Sequence, residues 1–410
     1  MKKIIAFVVS LLICVSLPLS VSAEEAKNSV VSDETASIDY SEFAGTTLNV
    51  FNWGEYISDG ADGSIDVNAE FEKLTGIKVV YSCFDANEDM YTKLVGGGAN
   101  YDVIIPSDYM IQRLVAEDRL EKLDFSNIPN YKYISDEYKN VVFDPTNEYS
   151  VPYNVGMVGL IYNTKVVPSA DSWSALWDEQ YSGKILMINN SRDAFGVAQF
   201  LLGIDVNTTN TADWDAAAEK LKEQKPLLKG YVMDEVFDKM EAGEAALVPY
   251  YAGDFLSMYQ NNKDLAFCYP KEGTNFFIDS MCIPKDAQHK KAAELYINFM
   301  LDPAIATANA MYMCYASPNK GVLENEEYLA FLEELHPDAK NILYPEKTNY
   351  KTQLYTNLPQ ESLKYLNGLW EDLKTSGFDG TMVYVVCGII IVVLIAIIVY
   401  KSIQKKKRYD

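Results

Sequence analysis

Histidine and patterned cysteine are what this sequence lacks. His289 and His336 are the only histidines in 410 residues, which argues against a histidine metal centre and a Ser-His-Asp triad. Between the two ends of the chain, Cys83, Cys268, Cys282 and Cys314 form no CxxC pair and no zinc spacing. Apolar neighbours, as in Met281-Cys282-Ile283, suit inert core thiols. No nucleophile motif, phosphate loop or internal repeat is visible, so neither cofactor nor metal is expected. Positive charge is scarce too: 35 Lys and Arg stand against 58 Asp and Glu, a formal charge of −23. That balance disfavours nucleic acid as a partner and draws cations toward the surface.

Seven of the 35 cations stand at the two ends. Lys2 and Lys3 precede an apolar run, and Val21-Ser22-Ala23 offers small residues for cleavage. Residues 1–23 therefore read as a secretory signal. Residues 382–400 carry no charge and are followed by Lys401, Lys405, Lys406, Lys407 and Arg408. A run of about 20 apolar residues is long enough to span a bilayer, and the positive-inside rule puts residues 401–410 in the cytoplasm. The expectation is a single-pass cell-membrane protein with its body outside, joined to the span by a linker over 375–381.

Between these ends, residues 24–45 are polar and acidic and read as a flexible lead-in. From Thr46 strands and helices alternate: strand 48–53, helix 64–74, strand 77–81, helix 88–94, strand 101–105 and a helix from Met110. This order implies a largely parallel α/β sheet covered on both faces. A second α/β region runs from about 153 to 277, with strands near 160–162 and 185–187 and helices at 173–177, 195–202 and 213–223. Two lobes are expected, because the body is too long for one comfortable core. Trp173 and Trp177, spaced i, i+4, suit core packing.

Candidate binding chemistry begins at the end of the first strand, where Trp53, Glu55 and Tyr56 put two aromatics beside a carboxylate. Ligands bind at such strand ends, and aromatic faces with a negative charge suit an organic cation. A buried Trp beside a solvated Glu is the plainer alternative. The motif also opens a series: Phe51-Asn52-Trp53-Gly54-Glu55-Tyr56, Thr75-Gly76-Ile77-Lys78-Val79, Tyr101-Asp102-Val103-Ile104-Ile105-Pro106-Ser107, Ser150-Val151-Pro152-Tyr153, Ser172-Trp173-Ser174-Ala175-Leu176-Trp177, Pro270-Lys271-Glu272-Gly273 with Asp279-Ser280, and Ser317-Pro318-Asn319. Taken in this order, from about Leu48 to Lys374, the chain resembles the substrate-binding proteins of spermidine/putrescine ABC transporters.

The resemblance implies a two-lobed fold of the periplasmic-binding-protein type, with a hinge and a cleft that closes on a polyamine and presents it to ABC permease subunits. It implies lobe 1 over 46–153 and 278–318, and lobe 2 over 154–277 and 319–374. The ligand-binding residues it implies are Trp53, Glu55, Tyr56, Ser107, Tyr109, Asp193, Tyr250, Phe277, Asp279 and Tyr315. The chain departs from the pattern at four positions. Tyr250 or Tyr251, and Phe277, stand where the family commonly has Trp. Asn190 replaces a frequent Asp, and Asp193 replaces the usual Glu. The polar residue after the last aromatic motif falls among Gln353, Tyr355 and Asn357. Bland roles stay open: Asp193 could cap a helix, Glu55 could be a solvated charge, and Tyr250, Phe277 and Tyr315 could be core aromatics. A different cationic or polar solute, or a hydrolase using Asp193 and Asp279, are the competing functions.

Overall fold

A computed structural model describes residues 30–97, 100–346 and 349–375. The signal, span and tail expected at 1–23, 382–400 and 401–410 lie outside those residues, as does the linker expected at 375–381 except for Thr375, which ends a helix. Among the described residues no helix is long and apolar enough to cross a membrane. The longest, Gln360–Thr375, has 16 residues and carries Glu361, Glu371 and Asp372, which is too short and too charged for a bilayer.

Ten strands form one sheet among the described residues: β1 Thr47–Trp53, β2 Lys78–Phe84, β3 Val103–Ile104, β4 Ser150–Asn163, β5 Ile185–Ile188, β6 Leu228–Val232, β7 Leu247–Tyr251, β8 Leu265–Cys268, β9 Thr274–Cys282 and β10 Thr352–Gln353. Their order is β2-β1-β3-β9-β4-β7-β5-β6, with β10 on β9 and β8 on β4. The first motif region forms a parallel block, β2-β1-β3. A second parallel block is β6-β5-β7. Between them β9 and β4 run antiparallel to each other, β9 also to β3 and β4 also to β7, while the short β10 lies parallel to β9. The sheet is thus mixed α/β, not largely parallel throughout.

The long strand β4 explains how one sheet holds two blocks. Its first part, Ser150 to Met157, pairs with β9, and its second, Val158 to Asn163, pairs with β7 and β8. A register shift between Pro152 and Asn154 marks a bulge, where proline cannot donate to the ladder.

The helices follow local signals. Asp66 caps Val67–Thr75 by accepting from Ala69 N at 2.8 Å, and Gly76 ends it with a left-handed φ of 70°. Trp173–Trp177 is a 3-10 turn, not an α-helix. Its tryptophans pack inward as expected, with Trp173 Nε1 donating to Gly273 O at 2.8 Å and Trp177 Nε1 to Lys220 O at 2.7 Å. The lead-in differs from expectation. From residue 30 it is fastened to the body, because Ser32 N, Ser32 Oγ and Thr35 Oγ1 all donate to Asp302 Oδ2, at 3.0, 2.5 and 2.6 Å. Thr35 and Tyr40 are buried, so this polar stretch is held by hydrogen bonds where apolar burial is sparse.

Candidate functional site

The C-terminal ends of the parallel strands converge on one cavity. β1 delivers Trp53 and the turn Gly54-Glu55-Tyr56, and β3 leads to Ser107 and the helix Asp108–Ala116. β5 leads to Asn190 and the helix Ser191–Leu202, β6 to Met233 and Asp234, and β7 to Tyr251 and the helix Ala252–Asn261. Binding at such edges follows from the topology, since loops there face a common crevice. The space between its walls amounts to about 750 Å³, part of it open solvent. All ten residues singled out from the sequence line it.

β9 contributes by its pleat. Successive side chains of a strand face opposite sides, so Asn275, Phe277 and Asp279 all line the cavity. The Phe277 ring rests on its cross-strand partner Gly156, where a Cβ would meet ring carbon Cζ at 2.5 Å. Tyr315 rests in the same way on Gly253, at 2.4 Å. These glycines let aromatic walls close on the backbone.

Two carboxylates sit at the buried end. Asp279, 5 % exposed, accepts the Tyr56 hydroxyl on Oδ2 at 2.8 Å, and Tyr56 O in turn accepts from the Tyr153 hydroxyl at 2.9 Å. Burial pushes its pKa up to about 6, against the pull of Ser107 and Tyr56 and with the repulsion of Asp193. Its Oδ1 is buried and receives no hydrogen bond of standard geometry, although the Ser107 hydroxyl is near enough to favour the charge. Asp193 accepts the Tyr251 hydroxyl at 2.8 Å. Burial likewise raises it to about 6, while the hydroxyls of Tyr251 and Tyr355 and the charge of Arg192 favour ionisation. Helix capping falls to Asn190, whose Oδ1 accepts from Arg192 N at 3.0 Å and Asp193 N at 3.4 Å. Asp193 is thereby left to face the cavity.

Two further buried carboxylates were not legible in the sequence. Asp108 lines the cavity with its carboxylate tied to the backbone, accepting from Tyr109 N at 2.6 Å and Ile278 N at 3.3 Å, and burial pushes its pKa well up. Asp254, in the first turn of Ala252–Asn261, accepts the Tyr315 hydroxyl at 3.0 Å. Burial lifts its pKa to about 8, and Asp234 and Glu55 push it the same way. The signal available was its place directly after the strand ending Tyr250-Tyr251. Asp234 stands at the mouth, its pKa raised by burial and by Glu55, Asp85 and Glu235. Glu55 is exposed there, and its φ of 48° is a strained value for a residue with a Cβ.

Aromatic faces fill the spaces between these acids. Tyr56 meets Tyr315 edge-on at 4.9 Å and Tyr251 meets Phe277 at 5.5 Å. Trp53 is anchored by Nε1 donating to Ile105 O at 2.9 Å and tilts on Phe84. Tyr109 is held by Asn87 and Glu88, each at 3.1 Å. Among the described residues the one cation lining this cavity, Arg192, is hydrogen-bonded to neutral groups. It donates to Asn207 Oδ1 at 3.0 Å and to the carbonyls of Thr356 and Val206 at 3.3 and 3.4 Å, and lies 4.5 Å over the Tyr355 ring. Among Gln353, Tyr355 and Asn357, only Tyr355 lines the cavity. No group of acids, His and Cys among the described residues has the arrangement of a metal centre.

The model of the bacterial extracellular solute-binding proteins matches residues 99–333. The spermidine/putrescine-binding periplasmic protein of Salmonella typhimurium is 34% identical over 303 residues, 72% of this chain and 84% of that protein. A solved chain from Listeria monocytogenes, a candidate spermidine/putrescine ABC transporter, is 36% identical with a TM-score of 0.74, covering 81% of this chain and 99% of the other. The spermidine/putrescine ABC transporter substrate-binding protein PotD of Streptococcus pneumoniae is 32% identical with a TM-score of 0.64, covering 80% and 99%. The cell-membrane placement with a cytoplasmic tail is corrected by these findings: the curated relative is a periplasmic binding protein, and no described helix can cross a membrane. The fold is that of the periplasmic binding proteins, and the chain belongs to the bacterial extracellular solute-binding proteins, a family of binding proteins and not of enzymes.

Proposed function

We propose that this protein binds a polyamine of the spermidine or putrescine class and hands it to an ABC permease. The observation that carries the reading is a charge imbalance. Asp193, Asp254 and Asp279 are buried and all three pKa values are raised, while the one cation among the described residues lining the cavity, Arg192, favours the charge of Asp193 alone of the three. A buried carboxylate without a counter-charge costs several kcal/mol, and a protonated amine in the cavity removes that cost. Tyrosine and phenylalanine faces suit the methylene segments and add cation–π attraction of about 0.5–2 kcal/mol per contact. Asp254 offsets the carboxylate that Asn190 does not supply. The names of the relatives support the same class.

On this reading the ten residues from Trp53 to Tyr315 selected above contact the ligand, joined by Tyr251, Asp254 and Tyr355. The β2-β1-β3 block with residues 46–153 and 278–318 forms one lobe. Residues 154–277 and 319–374 form the other. β4 and β9 serve as the hinge on which the cleft closes. Asp193 and Asp279 act as anchors for ammonium groups, not as an acid and base for hydrolysis, and the ligand leaves unaltered.

The test is thermal denaturation against a panel of putrescine, spermidine, a monoamine and a neutral polar solute. Specific binding of the folded state raises the melting temperature. Stabilisation by the polyamines alone supports the reading. Stabilisation by the neutral solute alone, or by none of the four, overturns it.

A further inference from the structure

Gly196 stands in the interior of the helix Ser191–Leu202 and is buried. Glycine disfavours a helix interior relative to alanine, and φ here needs no glycine, since the residue is not among those with positive φ. The reason lies outside the helix. A Cβ at 196 would meet the Tyr355 hydroxyl oxygen at 2.2 Å, with ring carbons Cζ at 3.3 Å and Cε1 at 3.6 Å. Asp193 lies three residues earlier, on the same helical face. The Tyr355 hydroxyl fills the space that a side chain at residue 196 would take, near enough to the Asp193 carboxylate to favour its charge.

Tyr355 reaches this space from a strap that lacks helix or sheet beyond Gln353. Asn207 Nδ2 donates to Leu354 O at 2.8 Å, and Asn207 Oδ1 accepts from Thr356 N at 2.8 Å. Asn357 N donates to Gln112 Oε1 at 2.7 Å. The ring lies over Arg192. Backbone and ring are thus fixed on three sides, so a new atom at residue 196 cannot be absorbed by sliding the strap. It must turn the phenol away from Asp193. Gly156 and Gly253 also seat aromatic walls, but there the contact is with ring carbons. At Gly196 the nearest atom is the one polar atom of the side chain.

We propose that Gly196 is a positioning residue of the binding site: by lacking a Cβ it lets the Tyr355 hydroxyl stand beside Asp193 in the wall of the cavity. The proposal rests on the polyamine reading for its ligand, and on the packing of Tyr355 at Gly196 alone for its geometry. It makes a specific claim about coupling. Removing the hydroxyl removes the collision, leaving only a tight approach to Cζ.

The test is a double-mutant cycle on the full chain with Gly196→Ala, Tyr355→Phe and the pair, with Gly368→Ala as a helical control that meets no atom within 4 Å. Two quantities are read: the dissociation constant for spermidine, and the Asp193 titration midpoint by carboxyl NMR without ligand. A hydrogen bond to a charged group implies that each single change weakens binding roughly tenfold. Each also moves the Asp193 midpoint up, since the hydroxyl favours the charge. The pair does no more than Tyr355→Phe alone, and Gly368→Ala changes neither quantity. Should Gly196→Ala fail to fold, folding of the pair is the expected rescue. Additive effects, an unmoved midpoint in Gly196→Ala, or a pair that also fails to fold would overturn the proposal. Absence of spermidine binding by the wild type would count against the polyamine reading alone, because the midpoints still decide the positioning claim.

Discussion

The buried end of the cavity and its mouth are both acidic, but they hold charge by different means. At the buried end Asp193 and Asp279 sit behind tyrosine hydroxyls and lie 5 % exposed. At the mouth Glu55 and Asp234 are exposed, and only Asp254 is enclosed, held by Tyr315. Water screens the mouth, so its acids attract a cation at long range and add little once it has docked. Water is kept from the buried end, so a cation there replaces an uncompensated charge. The contrast teaches that the count of carboxylates is a poor guide to affinity, while their enclosure is a good one.

The sharpest way to break this comparison is at the buried end. Asp279→Asn is expected to weaken polyamine binding by roughly a hundredfold, about 3 kcal/mol, as for loss of one partner from a buried pair. Calorimetric titration of the variant reads it, and a loss under threefold would erase the distinction between the two ends. Asp254→Asn comes next, with a loss of about tenfold at pH 8. Its pH profile sharpens the point. Without ligand the Asp254 pKa is about 8 and those of Asp193 and Asp279 about 6. A bound cation lowers all three, so binding releases protons and wild-type affinity rises with pH from 6 to 8. In Asp254→Asn that rise flattens.

Folding without ligand runs the other way. Each of these carboxyls is raised above its unfolded value of 3.8, so the folded chain holds more protons than the unfolded one between that value and the folded pKa. Their contribution to stability therefore falls as pH rises from about 4 to about 8. Urea midpoints at pH 5 and pH 8, with and without spermidine, measure it: the ligand should shrink the drop, and an equal drop would deny the link between charge and binding. The smallest effect is expected at the mouth. Glu55→Gln should weaken binding about two- to threefold at low salt and not at all at 0.5 M salt, since exposed charges act through a screened field. Titration at the two salt concentrations separates this from a contact role.

How much of this was legible in the sequence varies with the physical signal. Trp53, Tyr56 and Ser107 lie where strands end, and strand ends converge by topology; Asp279, inside β9, was legible through the family resemblance. The first parallel block was readable directly, as alternation of strand and helix is local; of the second, only β5 was. The antiparallel pairing of β4 with β9 was not, because it joins segments more than a hundred residues apart. Asp254 was missed because one acid in a first helical turn reads as ordinary dipole pairing. Its burial depends on Tyr315, far along the chain. Asp193 was ambiguous as a cap until Asn190 was found in that role. The docking of residues 30–45 was hidden because its anchor, Asp302, is remote in sequence.

The central claim is that the cavity holds buried carboxylates awaiting a cation. Calorimetric titration with spermidine at pH 6.5, in two buffers of different ionisation enthalpy, tests it most directly. The account predicts saturable binding with net release of protons into the buffer. Binding with no proton release, or no binding, would contradict it.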